Sequence, residues 1–343
     1  MKAVVYTAPH QFTVAEVPVP DPGPGQVLIT VLQAGLCGTD LHLDAGEFMA
    51  AFPMTPGHEV VGVVDALGDG VEQFTVGQQV TVNPNRACGH CPFCREGRPI
   101  LCPNMTGLGT NLPGFFAEYA VAPVDQVFDA EGLDPDTAVL TEPTSCAVHG
   151  VETAAVRPGS SALVIGAGPT GLLLAQLLAT GGAAHVAVAA PTRFKLDTAA
   201  ALGADLVIEI PRGGVDVEAL RGSSPTGDGF DLVVEATGSA AVARLCVPVT
   251  RSGGTTLIYG VADPDAAFSV NPYDVFRREI SVKGSFAEIT SFDAALAALR
   301  SGRVRGGVGD QQLITHRFAL ADYGAALKAL RGDKTAHKIV ITP

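Results

Sequence analysis

The sequence predicts a two-domain α/β protein in which a β-rich domain precedes a doubly wound parallel sheet. Its 343 residues exceed the usual size of one domain and can bury a sizeable core. In the second half, short apolar runs alternate with alanine-rich helical stretches, which is typical of parallel strands with crossover helices. In residues 1–150, prolines and glycines instead separate short β-rich runs, which indicates an irregular, barrel-like domain.

The apolar runs place the individual elements. In the first domain we predict strands at residues 27–31, 60–64 and 79–82. In the second we predict a helix at 170–180, and strands at 162–165, 186–190, 206–210, 232–235 and 256–259. Helices at 292–300 and 323–330 and a strand at 338–341 follow. We therefore expect residues 151–288 to form the second domain, and residues 289–343 to return to and complete the first.

The charge and the uncharged segment exclude some functions. The net charge of −13 argues against a nucleic-acid or anionic-membrane partner. Residues 158–192 lack charge and could suggest a membrane span, but glycines divide them into strand, turn, helix and strand. The chain starts without a signal-like segment, so we expect a cytoplasmic protein in which clustered cysteines bind metal or act in redox chemistry.

Four of the seven cysteines lie within fifteen residues. Cys88, Cys91, Cys94 and Cys102 have the spacing C-x₂-C-x₂-C-x₇-C, which can close around one tetrahedral ion, and we predict a structural zinc site. An iron–sulfur cluster is the main alternative, although the last spacer of a ferredoxin-like run is about three residues rather than seven. Free thiols or disulfides are another alternative. His90, between two of these cysteines, is predicted to be exposed.

A glycine-rich turn follows the predicted strand at 162–165. Its residues Gly166, Gly168, Pro169, Thr170 and Gly171 fit G-x-G-x-x-G and open the next helix, as a dinucleotide-binding turn requires. The helix N-terminus would then face the diphosphate. A tight turn without a cofactor is the alternative.

The end of the next strand bears on the choice of nicotinamide cofactor. Ala190 stands where NAD-preferring enzymes carry a carboxylate for the ribose 2′-hydroxyl, and Thr192, Arg193 and Lys195 follow. We therefore favour NADP, with NAD as the alternative if Arg193 and Lys195 are simply solvated.

Three scattered pieces supply ligand types suited to a catalytic zinc with an open position. They are Cys37 in C-G-T-D-L-H, His58 and Glu59 in G-H-E, and Glu142 in E-P. With Gly62 and Gly68, the second piece fits G-H-E-x₂-G-x₅-G. With the cysteine cluster and the glycine turn in the same order, the whole chain resembles the zinc-containing medium-chain alcohol and polyol dehydrogenases, in particular sorbitol dehydrogenase-like members.

The resemblance implies a fold and residue roles. The fold would be a GroES-like catalytic domain joined to a Rossmann cofactor domain. Cys37 and His58 match catalytic zinc ligands, and either Glu59 or Glu142 would be the third. Thr39 matches the hydroxyl that takes the substrate proton, and His42 the outer end of the proton relay. Asp40 would orient His58.

The resemblance also implies cofactor contacts and an oligomer. Thr237 lies in a matching E-A-T-G segment, and Tyr259 and Val261 lie where the family contacts the nicotinamide. Members usually assemble through the cofactor domain, which implies a homodimer or homotetramer. The phenylalanines Phe48, Phe52, Phe115 and Phe116 either face the substrate or belong to the core.

The expected activity is zinc-dependent hydride transfer between a secondary alcohol or polyol, or the corresponding ketone, and a nicotinamide cofactor. A threonine or sugar dehydrogenase of the same family is the alternative. A catalytically silent binding protein would lack a ligand or relay residue, and none is missing. A zinc-free quinone or enoyl reductase would lack the G-H-E piece and the cysteine cluster. Two zinc ions per chain are expected.

Overall fold

The computed structural model describes residues 1–343 as nineteen strands, eleven α-helices and three short 3-10 helices. The strands are β1 Lys2–Ala8, β2 Gln11–Glu16, β3 Gln26–Leu36, β4 Glu59–Leu67, β5 Gln79–Val82, β6 Asn85–Arg86, β7 Thr106–Gly107, β8 Tyr119–Pro123, β9 Val127–Asp129, β10 Ser161–Ile165, β11 His185–Ala190, β12 Leu206–Glu209, β13 Phe230–Glu235, β14 Thr250–Ile258, β15 Ser281–Gly284, β16 Gly307–Val308, β17 Gln311–Gln312, β18 Ile314–Ala319 and β19 Lys338–Thr342. The α-helices are α1 Gly38–Asp44, α2 Pro92–Arg95, α3 Pro135–Ala138, α4 Thr141–Ala154, α5 Pro169–Thr180, α6 Arg193–Ala201, α7 Val217–Gly222, α8 Ala240–Val249, α9 Pro272–Arg278, α10 Phe292–Arg300 and α11 Tyr323–Gly332.

The chain divides into two compact units. Unit 1 contains residues 1–145, 288–302 and 314–343, and unit 2 contains residues 146–287 and 303–313. We predicted that the whole tail from 289 completes the first domain, and for residues 303–313 this is wrong. These residues form the hairpin β16–β17, which makes hydrogen bonds to other residues of unit 2. The Arg305 N–H donates to Gln176 Oε1 at 2.9 Å, and Thr198 Oγ1 donates to Gln311 Oε1 at 2.7 Å.

Unit 1 is built on an antiparallel sheet, as the β-rich pattern predicts. Its strand order is β18-β19-β3-β4-β5-β9, with β8 also paired to β3, and only the β18–β19 pair is parallel. The long strand β3 therefore lies beside β4, β8 and β19. Its aliphatic side chains pack into a core with the aromatic rings of Phe115, Phe116 and Tyr323.

Unit 2 is a doubly wound sheet, as predicted. Six parallel strands run in the order β12-β11-β10-β13-β14-β15. All five residues of β10 are buried, because helices cover both faces of such a sheet. The strand order reverses next to β10, and in open parallel sheets ligands bind at that point. The glycine turn that leads from β10 into α5 lies there.

The uncharged segment 158–192 folds into β10, α5 and β11, as the positions of its glycines predict. Across the structure, every α-helix is too short or too polar to serve as a membrane span. In the tail, α10, α11 and β19 match the predicted elements.

Candidate functional site

The four clustered cysteines of unit 1 converge on one point. Their sulfur atoms all lie within 4.8 Å of one another, and none forms a disulfide. Backbone N–H groups of His90 and Cys91 hold the pKa of the Cys88 thiol down at about 6. Four converging thiols, one of them readily ionised, fit a closed tetrahedral metal site. The His90 ring is exposed, as expected, and contacts the Cys88 carbonyl oxygen at 2.7 Å.

A second cluster in unit 1 joins two of the scattered pieces. The ligand atoms of Cys37, His58 and Glu59 lie within 4.8 Å of one another. Strand pairing explains this, because β3 ends one residue before Cys37 and β4 begins at Glu59. The two strands are antiparallel, with Gly35 opposite Glu59, so the end of one meets the start of the other.

Negative charge surrounds the His58 ring. Burial alone would lower the pKa of His58, but the charges of Asp40, Cys37 and Glu142 outweigh it and raise the pKa to about 10. Asp40 Oδ1 is 3.8 Å from His58 Nδ1, which is too long for a hydrogen bond. The other Asp40 oxygen accepts the Cys37 N–H at 2.8 Å. Asp40 therefore fixes the Cys37 backbone and acts on His58 through its charge.

Glu59 forms a buried ion pair with Lys338, a residue that lies in none of the motifs. Their side chains are 0% and 3% exposed. Burial would lower the pKa of Lys338, but the charges of Glu59 and Cys37 raise it, so the lysine is charged. Gly35 leaves the room for this pair, since a Cβ there would lie 1.9 Å from Glu59 Oε2. The pairing of β19 with β3 brings Lys338 here, and the sequence offers no local signal for it.

Two further carboxyl groups add to the acidic character of this region. Glu142 lies at the start of α4 and is 7% exposed. Its carboxylate is not part of the group of donor atoms that lie within 4.8 Å of one another. Glu288, also missed from the sequence, is fully buried. Burial, and then the charge of Glu142, raise the pKa of Glu288 to about 8, so that it is largely neutral at pH 7.

The second cluster fits a divalent cation. Thiol, imidazole and carboxylate donors lie together with more negative than positive charge, and Lys338 is already paired with Glu59. His58 Nδ1 and Glu59 Oε1 are buried without a hydrogen-bond partner, which is costly for polar atoms. A cation among Cys37, His58 and Glu59 would relieve the cost at Glu59 Oε1, whereas His58 Nδ1 faces Asp40.

The two predicted relay residues lie on α1, next to this cluster in the chain. Thr39 Oγ1 is 3.8 Å from Cys37 Sγ, so its hydroxyl lies beside a candidate ligand atom. His42 is one turn further along the helix, and its Nδ1 lies 2.7 Å from Glu47 Oε2.

In the glycine turn of unit 2, glycine is required at Gly166 and Gly171, whereas the space around Gly168 is empty. A Cβ on Gly171 would lie 1.9 Å from Gly166 O, and Gly166 has φ +124°. Gly168 is the N-cap of α5, and a Cβ there would meet no atom within 4 Å. The backbone at Gly168 is thus free for close approach by a diphosphate at the helix N-terminus.

The predicted cofactor residues after β11 lie where the strand ends and the next helix begins. Ala190 ends the strand, Thr192 is the N-cap of α6, and Lys195 lies in its first turn. Arg193, however, already forms an ion pair, with its Nε 2.8 Å from Asp197 Oδ1. Asp197 follows Arg193 by four residues, the spacing at which side chains meet on a helix, and this spacing was a signal for the pair.

The remaining predicted cofactor residues of unit 2 lie after β13 and β14. Thr237 N–H donates to Glu235 Oε1 at 2.7 Å, and Tyr259 N–H donates to Glu235 O at 3.0 Å. The Tyr259 ring packs against Gly150, where a Cβ would lie 2.7 Å from Tyr259 Cε2. Val261 is half exposed. The buried Glu235 thus fixes both segments after the strands end.

The phenylalanines divide between the two roles considered for them. Phe115 and Phe116 are buried in the core of unit 1, and the Phe52 ring lies 6.3 Å from that of Tyr6. Phe48 is exposed. The core interpretation therefore holds for the first two, and they give no information about the substrate.

Two family models match the chain. The alcohol dehydrogenase GroES-like domain matches residues 23–132, and the zinc-binding dehydrogenase model matches residues 169–301. D-arabinitol dehydrogenase 1 from Uromyces fabae is 39% identical over 100% of this chain and 97% of its own length. The chain belongs to the zinc-containing medium-chain dehydrogenases. A D-altritol 5-dehydrogenase from Agrobacterium fabrum is 37% identical over 94% of each chain. This dehydrogenase is thus sorbitol dehydrogenase-like, within the polyol and sugar alcohol branch.

Solved structures of the same fold carry either nicotinamide cofactor. A chain described as a zinc-binding dehydrogenase from Sinorhizobium meliloti 1021, bound to NADP, has TM-score 0.92 and 33% identity over 100% of this dehydrogenase and 99% of its own length. An alcohol dehydrogenase from E. coli CFT073, complexed with NADH, has TM-score 0.89 and 28% identity over 100% and 99%. The GroES-like and Rossmann folds implied by the motifs are confirmed.

Proposed function

We propose that this dehydrogenase oxidises a secondary hydroxyl group of a polyol, or reduces the corresponding ketone, with a catalytic zinc ion and with NADP preferred over NAD. The observation that carries the proposal is the convergence of Cys37, His58 and Glu59 in a buried, negatively charged cluster. The polyol substrates named for its relatives support the choice of substrate class.

When bound in this cluster, zinc would supply the Lewis acidity that makes a substrate hydroxyl easier to deprotonate, and a nicotinamide cofactor would supply the hydride acceptor. The chain itself holds the metal and moves the proton. We assign Cys37, His58 and Glu59 as the ligands because their donor atoms lie together. Glu142 is outside this group, and its charge acts on His58. Thr39 takes the hydroxyl proton, and His42 passes it toward water. The four-cysteine cluster holds a second, structural zinc.

A substrate panel tests the function. Polyols, alkyl and aryl secondary alcohols, sugars and L-threonine are compared by kcat/KM at equal zinc and cofactor concentrations. We expect a polyol to have the highest value, by about tenfold, since its additional hydroxyls can bind polar groups that a simple alcohol leaves unpaired. A preference for L-threonine would establish the amino-acid alternative, and no turnover with any of them would refute the proposal.

The preference for NADP depends on the absence of a carboxylate at position 190. Ala190→Asp is expected to shift the ratio of kcat/KM for NADP over NAD by about tenfold toward NAD, because the new charge repels the 2′-phosphate. The matched control is Ala190→Asn, which has nearly the same shape without the charge. A wild-type enzyme that strongly prefers NAD would contradict the 2′-phosphate argument. Because Arg193 is paired with Asp197, the residue at position 190 bears on the choice of cofactor more than the arginine does.

We also propose that the chain forms a homodimer or homotetramer through unit 2. Strand β15 lies at the edge of the parallel sheet and pairs only with β14. Near it in sequence, Tyr273 and Phe276 are 68% and 77% exposed, and Val282 is also exposed. An unpaired strand edge with exposed aromatic residues nearby favours association with a second copy. A monomeric mass in analytical ultracentrifugation would contradict this proposal.

A further inference from the structure

His42 and Glu47 form a contact in unit 1 that the proposed proton path leaves unexplained. His42 Nδ1 lies 2.7 Å from Glu47 Oε2, and the two side chains are 25% and 41% exposed. An ionised carboxylate can only accept a hydrogen bond, so this contact places the imidazole proton on Nδ1. The other ring nitrogen, Nε2, then carries a lone pair that can accept a proton.

The main chain is built to bring these two side chains together. After α1 ends, the Gly46 N–H donates to Leu43 O at 3.0 Å and the Glu47 N–H donates to His42 O at 2.8 Å. Gly46 has φ +80°, and a Cβ there would lie 2.7 Å from Pro9 Cγ, so glycine is needed for this turn. The turn returns the chain to His42, and the pairing is therefore not a chance contact between two flexible surface side chains.

Asp44, two residues after His42 on the same helix, is occupied elsewhere. The buried Asp44 accepts a hydrogen bond from the Tyr6 hydroxyl at 2.9 Å, contacts His10 Nδ1 at 2.7 Å and forms an ion pair with Arg331. These contacts engage both carboxylate oxygens of Asp44. Glu47 is the carboxylate that contacts the His42 ring.

We propose that Glu47 is a positioning residue for the dehydrogenase reaction, which orients the His42 ring and holds it as the Nδ1–H tautomer. The inference rests on the proposed function, in which His42 receives the proton that leaves the substrate. His42 takes up the proton at Nε2 and later releases it from the same nitrogen to water. His42 therefore returns to its starting form, and Glu47 never carries the proton. A carboxylate that orients an imidazole and fixes its tautomer has this role in hydrolytic triads.

Steady-state kinetics of the zinc-loaded enzyme test this role. Glu47→Ala is expected to lower kcat about tenfold with KM changed less than about twofold, because proton transfer is impaired and substrate binding is not. Glu47→Gln retains an oxygen that accepts the Nδ1–H, and it is expected to recover part of the lost kcat. The matched control is Glu72→Gln, an exposed glutamate of unit 1, which is expected to leave both parameters unchanged.

Two further measurements separate this inference from a general structural effect. In a His42→Ala background, Glu47→Ala is expected to have no additional effect on kcat, since its target is gone. An equal loss in both backgrounds would overturn the proposal. Independently of turnover, ¹⁵N NMR of the zinc-loaded enzyme should show His42 with a protonated Nδ1, and a tautomer mixture in Glu47→Ala. A protonated Nε2 in the wild type would overturn the inference even if the proposed function is correct, whereas failure of the substrate panel leaves the NMR result unaffected.

Discussion

Replacing His58 with alanine is expected to reduce alcohol oxidation about a thousandfold or more and to lower the zinc content from about two ions per chain to about one. The imidazole is one of only three donor groups that lie within 4.8 Å of one another in this cluster. Without it, the remaining donors are too few for the tetrahedral coordination that zinc prefers. Loss of a Lewis acid worth several kcal/mol of barrier reduction corresponds to this fold-change in rate. Zinc content is measured by metal analysis after dialysis, and kcat with the best polyol.

The control is His90→Ala, at a histidine that is exposed and lies between two cysteines of the other cluster. It is expected to retain both zinc ions and full turnover. Retention of turnover in His58→Ala would refute the assignment of the catalytic centre. Loss of both zinc ions would show instead that the substitution disrupts unit 1 as a whole.

Replacing Lys338 with methionine is expected to destabilise the metal-free protein by about 3–5 kcal/mol, the usual cost of breaking a buried ion pair. Methionine fills similar volume but leaves the Glu59 carboxylate buried without its cation, and both side chains are almost inaccessible to solvent. The free energy of unfolding is measured in guanidinium chloride with a probe in unit 1. In the zinc-loaded protein we expect a smaller loss, because the metal then compensates part of the Glu59 charge.

Two variants make this result specific. Lys328→Met, at an exposed position of α11, is expected to change the free energy of unfolding by less than about 0.5 kcal/mol. Lys338→Met combined with Glu59→Gln is expected to recover much of the loss, since no unpaired charge remains. If Lys338→Met is as stable as Lys328→Met, the ion pair does not contribute as the geometry indicates.

The parts of the fold and site that the sequence predicts are those encoded locally. The four cysteines lie within one short segment, so their spacing alone brings them close enough to share an ion. The parallel sheet of unit 2 follows from apolar runs that must be buried on both faces. The glycine turn is readable because close contacts such as that between Gly171 and Gly166 O exclude any side chain.

The parts that the sequence does not predict depend on strand pairing or on single hydrogen bonds. Lys338 starts an apolar strand, where a polar residue normally marks a strand end, and only the register of β19 on β3 places it beside Glu59. Residues 303–313 belong to unit 2 because Arg305 and Gln311 form hydrogen bonds with Gln176 and Thr198. No sequence pattern predicts these two pairs. The ion pair between Arg193 and Asp197 could be predicted from their i,i+4 spacing. Because of this pair, Arg193 is less available to bind the 2′-phosphate of NADP.

The order in which the chain is synthesised gives the two candidate metal sites different histories. All four cysteines leave the ribosome within fifteen residues of one another, so that site can capture its ion early. The site at Cys37, His58 and Glu59 depends on Lys338, which is made about 280 residues after His58. Until β19 is inserted beside β3, Glu59 lacks the cation that holds it in place. The Glu59–Lys338 pair therefore forms only after β19 has been made, long after all four cysteines have left the ribosome.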